Sequence, residues 1–170
     1  KAKEWFASYT ADYDMEDPKI ALKAVHTYHV AELCQTIAES LALNEVECMA
    51  AWLSGLLHDV GRFEQIRRFN TFSDADSIDH ALLSTEILFG TKEDASCGRI
   101  RQVILDPSWD IYLYKAIKYH SAYRLPPDLY EMEKTYCKIL RDADKIDIFR
   151  VNLETPMEDI YNTTTETLKQ

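Results

Sequence analysis

Nearly all of this chain is expected to be α-helix, folded as one compact multi-helix bundle. Three observations predict it: only four glycines and five prolines punctuate 170 residues, apolar residues recur at helical spacing, and strand-like alternation is scarce. With 46% hydrophobic residues the chain supports a single domain over residues 1–170, its motif core at about residues 20–150.

A first helix at about residues 3–12 carries Trp5, Phe6 and Tyr9, with Tyr13 just beyond, and packs across the domain as an outer element. Asp17-Pro18 reads as an N-cap followed by proline at the first helical position, opening a long helix to about Leu43. Asn44 with Glu47 reads as a capping box for the next helix, which runs through Trp52 and Leu57 and is stopped by Gly61. Residues 62–76 are polar and mixed and give no assignment. A helix from about Ser77 to Phe89 ends at Gly90, another covers roughly residues 92–105, and Ser108 after Pro107 caps one through His120. Tyr123 to Leu129, with Pro126-Pro127, is a loop before a last long helix from about Glu131 to Leu153. No internal repeat is present, and the Thr-rich end, Thr163 to Thr167, reads as a segment that frays or packs elsewhere.

Composition excludes several functions. With 29 acidic against 19 basic residues and a net charge of −10, the chain lacks the broad basic face that a nucleic-acid polymer requires. A small phosphorylated partner needs only a local cluster of positive charge and stays compatible. There is no apolar run of about 18 residues, so no membrane span is expected. Cys34, Cys48, Cys97 and Cys137 are far apart without a C-x-x-C, which indicates neither a zinc ribbon nor a disulfide framework. A reducing, cytoplasmic setting fits them best, although the chain opens at Lys1 and any preceding segment would be invisible. Oligomeric state is not encoded in any feature of the sequence.

Helical geometry sorts the polar residues. At about 100° per residue, Leu22, Val30, Leu33 and Ile37 fall within roughly 40° of His26, whereas His29 lies about 60° off the stripe's centre. His26 is therefore the inward histidine and His29 a rim one. On the last helix Cys137, Leu140, Ile148 and Val151 form a stripe with Asp144 within about 20° of its axis, and Asp142 points nearly opposite. An ionised Asp in such a stripe is expensive to bury, so Asp144 needs a cation, a metal or a surface position. His120 follows Leu113, Ala116 and Ile117 on one face, and His80 precedes Leu83 and Ile87 on another. His58 and Asp59 end an apolar run. Taken singly, such a histidine is ordinarily a core residue with one backbone hydrogen bond, and His58-Asp59 a partner for a helix dipole. Jointly, four of the five histidines face inward with two carboxylates beside them. Imidazole and carboxylate without thiolate suits Mn, Fe, Co, Ni, Zn or Mg.

The ordered set His26, then His58-Asp59 within LLHDVGRFEQ, then Asp144 within RDADKIDIF, resembles the H…HD…D signature of the HD-domain metal-dependent phosphohydrolases, and the resemblance covers residues 20–150. HTYHVAELCQTIAESLAL is similar to the family's first motif helix, with His26 in the ligand position. The resemblance implies an all-helical bundle in which His26, His58, Asp59 and Asp144 hold one divalent metal ion. His80 and His120 match the further histidines of members that hold a second ion or contact the substrate phosphate. It implies hydrolysis of a small phosphomonoester, phosphodiester or nucleotide by metal-activated water, with Asp59 accepting a proton or bridging two ions. Arg62 is the candidate to fork onto a phosphate, with Lys118 and Lys145 as others. Against these stand plainer readings: Arg67-Arg68 as a solvated pair, and Lys145 as a screen for Asp142 or Asp147.

Branches that act on nucleoside monophosphates or the stringent-response nucleotide carry a glutamate three residues after the HD aspartate, where this chain has Arg62. The His-His pair of the cyclic-dinucleotide phosphodiesterases is also missing, since Ser121 follows His120. What remains is similar to the small, stand-alone HDxGR type. Two other functions stay open: a di-iron oxygenase using the same ligands plus His80 and His120, and a non-catalytic metal-stabilised or ligand-sensing module.

Overall fold

Asp17 and Asn44 start the two helices that build the first half of the core, each by the chemistry its sequence encodes. In the computed structural model, which describes residues 1–91 and 93–155, Asp17 Oδ1 accepts from the Lys19 N–H at 2.8 Å. Asn44 Oδ1 accepts from Val46 and Glu47 N–H, both at 3.0 Å. The Glu47 carboxylate in turn accepts from Asn44 N–H at 2.8 Å. The helices run α1 (Ala2–Thr10), α2 (Pro18–Ser40), α3 (Glu45–Leu57), α4 (Val60–Phe69), α5 (His80–Phe89), α6 (Ile100–Val103), α7 (Asp110–Tyr119) and α8 (Glu131–Glu154). Single 3-10 turns at Ala95–Cys97 and Pro107–Trp109 flank α6. There is no strand among the described residues, and the protein is all-α. No helix among them is long and apolar enough to cross a membrane. The domain expected over residues 1–170 and the expectation for Thr163 to Thr167 extend to residues outside those described.

Several boundaries differ from the sequence expectation for physical reasons. The second helix stops at Ser40 because Ala42 turns into the left-handed region, φ 57, and the Leu43 N–H is taken by Ala38 O at 3.2 Å. Gly61 does not stop a helix. The chain breaks at His58-Asp59 and resumes as α4, which takes in residues 62–69 of the unassigned stretch because Val60, Phe63 and Ile66 bury one face. Asp79, not Ser77, caps α5, accepting from Leu82 N–H at 2.9 Å. Asp106, not Ser108, opens the turn before α7, accepting from Ser108 N–H at 2.9 Å. The helix expected over 92–105 shrinks to α6 and a 3-10 turn.

α2 and α3 pack as a hairpin, α8 lies against α2, α3 and α7, and α5 sits between α4 and α7. One core cluster gathers Phe6, Leu56, Leu57, Val60, Phe63 and Ile117. A second, between α2, α3 and α8, gathers Val30, Cys34, Ala51, Tyr136 and Leu140. Each large side chain buried in these clusters contributes about 1.5–3 kcal/mol. Two glycines pin the His58-Asp59 junction from either side. A Cβ on Gly55 would meet Ala31 Cα at 2.6 Å, and one on Gly61 would meet His80 O at 2.5 Å. Gly61 N–H also donates to Ser84 Oγ at 2.9 Å. Close approach of α3 to α2 and of α4 to α5 thus holds the turn between them.

Candidate metal centre

α2 and α8 bring His26 and Asp144 together, with His26 Nε2 3.1 Å from Asp144 Oδ1. Behind His26, its Nδ1 lies 2.7 Å from Asp147 Oδ2, and Arg150 Nε donates to Asp147 Oδ1 at 2.7 Å. Asp147 is thereby charge-balanced and fixes which ring nitrogen of His26 faces inward. The α8 stripe is shifted from the sequence expectation: Asp147 is 2% exposed, while Ile148 is 39% exposed and belongs to the rim. Asp142 is exposed. His29, with 43% of its side chain exposed, reaches only the back of Asp147 at 3.2 Å.

His58 and Asp59 occupy the break between α3 and α4. His58 Nδ1 donates to Gly55 O at 2.7 Å, which leaves its Nε2 pointing at Asp59 Oδ2, 3.3 Å away, and Asp144 Oδ1, 3.7 Å away. Asp59 sits in the N-cap position of α4, yet its side chain makes no capping bond there. The carboxylate is turned instead to the centre, with Oδ2 3.7 Å from His26 Nε2 and Oδ1 3.6 Å from both His80 Nε2 and His120 Nε2.

His80 opens α5 and His120 closes α7. His120 Nδ1 donates to Ile117 O at 2.6 Å, and His80 Nδ1 lies 2.6 Å from Asp74 Oδ2. Burial draws the His80 imidazolium down to about 4 in spite of Asp74, so the ring is neutral at physiological pH. With Nδ1–H committed to Asp74, its Nε2 is a lone pair.

Four imidazoles therefore turn their Nε2 atoms to one region, the Nδ1 of each held from behind by an oxygen. His26 Nε2, His58 Nε2 and Asp59 Oδ1 are buried without a hydrogen-bond partner. An orphaned buried polar atom is costly, and three converging ones call for a cation. The donor atoms of His26, His58 and Asp59 lie within 4.8 Å of one another, as do those of Asp59, His80 and His120. The contacts within the first group, 3.3 and 3.7 Å, and those from its histidines to Asp144, 3.1 and 3.7 Å, approach the roughly 3.0–3.5 Å edges of a polyhedron with metal bonds of about 2.1 Å. The residues thus fit one divalent ion, with a second ion fitting the His80 side, and Asp59 has one oxygen in each group. Burial opposes charge on Asp59 and Asp144, but the adjacent histidines, with Lys23 at Asp59, hold both carboxyls well below the usual range. The same carboxylates lift His58 to about 9 against the effect of its burial.

Beside His26 opens a cavity of about 200 Å³, lined among others by Lys23, Arg62 and Phe72. Lys23 Nζ lies 2.5 Å from Asp59 Oδ2 and 5.5 Å from the Phe72 ring centroid. Arg62 reaches the cavity, but its Nη1 is spent as a clamp on the 72–74 segment, donating to Phe72 O at 2.6 Å and Asp74 Oδ1 at 2.9 Å. Its buried Nε has no hydrogen-bond partner. Lys118 lies instead against the Tyr114 and Tyr119 rings, and Lys145 is exposed with Nζ near Arg141 O. Arg67 and Arg68 both pair with Glu64. Sequence reasoning missed Lys23, Asp74 and Asp147. Lys23 and Asp147 each lie three positions from a singled-out residue, His26 and Asp144, and so on the same helical faces, a signal that was available.

A family model described as HD domain matches residues 24–148, well over half of the chain. No curated protein and no solved structure matches it.

Proposed function

The chain belongs to the HD-domain family, and from that premise we propose that it is a divalent-metal-dependent phosphohydrolase acting on a small phosphorylated substrate. The observation that carries this is Asp59, whose two oxygens serve two histidine groups, His26 with His58 and His80 with His120. A divalent ion bound there lowers the pKa of water and offsets charge on phosphoryl oxygens.

In this reading His26, His58, Asp59 and Asp144 are the metal ligands, and His80 and His120 take a second ion or hydrogen-bond the phosphate. With one oxygen toward each histidine group, Asp59 would be the residue to hold both ions. Lys23 and Arg62 supply positive charge at the cavity, which suits a phosphate that enters beside His26. In the net reaction a water oxygen bonds to phosphorus as the ester P–O bond breaks, and a proton from water ends on the leaving alcohol. The cavity opens onto His26, which supports a catalytic centre over a sealed structural ion. The nitrogen-rich group of Asp59, His80 and His120 also favours, as a second reading, a di-iron oxygenase. Oxygen consumption with a polyol by anaerobically prepared, iron-loaded protein would mark that case. The reducing, cytoplasmic setting proposed for the chain agrees with its four free cysteines.

The test is metal analysis of His58→Ala and Asp59→Ala beside a screen of phosphorylated metabolites with Mn, Mg, Co and Ni. Both variants are expected to lose bound metal and all phosphatase activity. Unaltered metal content in Asp59→Ala overturns the reading.

A further inference from the structure

The cavity beside His26 combines positive charge with an apolar lining. Its cations are Lys23 and Arg62, and no carboxylate lines it, in a chain with a net charge of −10. The buried Arg62 Nε has no hydrogen-bond partner, its nearest carboxylate oxygen being Asp59 Oδ1 at 3.9 Å. Besides His26 and Asn152 the rest of the lining is apolar: Leu22, Phe72, Ile148 and Val151. Ile148 is 39% exposed on a helix whose neighbouring Asp147 is buried.

We infer that this cavity selects a compact phosphomonoester whose alcohol part is apolar and about one ring in size, an inference that rests on the hydrolase reading above. Size decides against larger substrates. A cavity of about 150 Å³ holds benzene, whereas pockets for drug-sized ligands run from about 300 Å³ upward. The space of about 200 Å³ takes a ring and part of a phosphate, and a nucleoside overflows it. Chemistry decides against sugars. Their hydroxyls would face four apolar side chains and lose hydrogen bonds to water without replacement. Lys23 and Arg62 hold phosphoryl oxygens at the centre's edge while the apolar group lies against Phe72 and Ile148. Water supplies the oxygen that joins phosphorus, the ester P–O bond breaks, and the alcohol leaves carrying a proton from water.

The full chain loaded with Mn is compared on benzyl phosphate, ribose 5-phosphate and adenosine monophosphate, esters with similar alkyl leaving groups. The expected preference in kcat/KM for benzyl phosphate is about tenfold or more. Independently of turnover, calorimetry is expected to show benzylphosphonate binding about tenfold more tightly than methylphosphonate. Phe72→Ala and the rim variant Ile148→Ser, each checked for an unchanged melting curve, are expected to bring both ratios toward one. Equal or better turnover of ribose 5-phosphate or the nucleotide overturns the inference, as do equal phosphonate affinities or ratios that neither variant moves. Selective benzylphosphonate binding by a protein that hydrolyses none of the esters would retire the hydrolase reading and leave the cavity's ligand class standing.

Discussion

The Nε2 atoms of His80 and His120 face each other at 3.0 Å. Ile117 O takes the Nδ1–H of one and Asp74 that of the other. Both Nε2 atoms are placed to share a cation, and Asp59 Oδ1 stands 3.6 Å from each. Removing either imidazole should therefore lower bound metal by about one ion per chain and leave the ion on the His26 side. Plasma mass spectrometry on His80→Ala and His120→Ala checks this. Retention of the full native metal content by both variants would sink the two-ion arrangement, and total loss would show that the ions are not separable.

How far the sequence discloses this centre depends on whether a residue lies on a periodic element. Burial of His26, His80, His120 and Asp144 follows from helical spacing alone, because a stripe fixes which angle faces the core. Asp147 lies on the same face as Asp144, but assigning Ile148 to that stripe turned Asp147 outward, an error of one position worth about 100°. Asp74 and Phe72 come from a segment with no period, placed by tertiary contacts to Arg62, Gln65 and His80, and no local rule reaches them. Gly61 was read as a terminator because a glycine that ends a helix and one that lets two helices touch look alike in sequence.

The metal-free protein should lose stability as pH rises toward 9. His58 has its pKa lifted to about 9 by Asp59 and Asp144 over the opposing effect of burial, against about 6.5 in an unfolded chain. A raised folded value means that the contribution is complete below about 6.5 and is lost as pH climbs through about 9. Metal displaces that proton, so apparent metal affinity should increase across the same window with proton release. On the acid side Asp59 and Asp144, held low, contribute above about pH 4 and fail below it. Melting curves with and without metal from pH 3 to 10 check both limbs, and a metal-free melting temperature that is flat between pH 6.5 and 9 would contradict the assignment.

Asp147 acts on the centre through His26, not by touching it. Its Oδ2 holds His26 Nδ1 at 2.7 Å, so Asp147→Asn should reorient or retautomerise the ring and weaken metal binding by about 10- to 100-fold. Asp147→Glu should recover part of the loss. Chelator competition gives the affinity, and circular dichroism separates this from unfolding, since Asp147→Asn also takes from Arg150 one of its two carboxylate partners, leaving Glu154. Native affinity in Asp147→Asn would mean that packing alone orients His26.

Lys23 should move two affinities in opposite directions. Its Nζ lies 2.5 Å from Asp59 Oδ2, the same oxygen that faces His26 and His58, so in the metal-free protein the ammonium already supplies the positive charge that the carboxylate needs. An incoming ion must compete with it. Replacing Lys23 by Met removes the competitor, and because the pair is buried the gain is not screened away by solvent. Metal affinity is then expected to rise by about tenfold. The cavity loses one of its two cations at the same time, and orthophosphate or vanadate should bind the metal-loaded variant about tenfold more weakly. Calorimetry with Mn and then with phosphate reads both arms. A fall in metal affinity would show that Lys23 supports the ligand geometry, whereas unchanged phosphate affinity would remove it from the anion site.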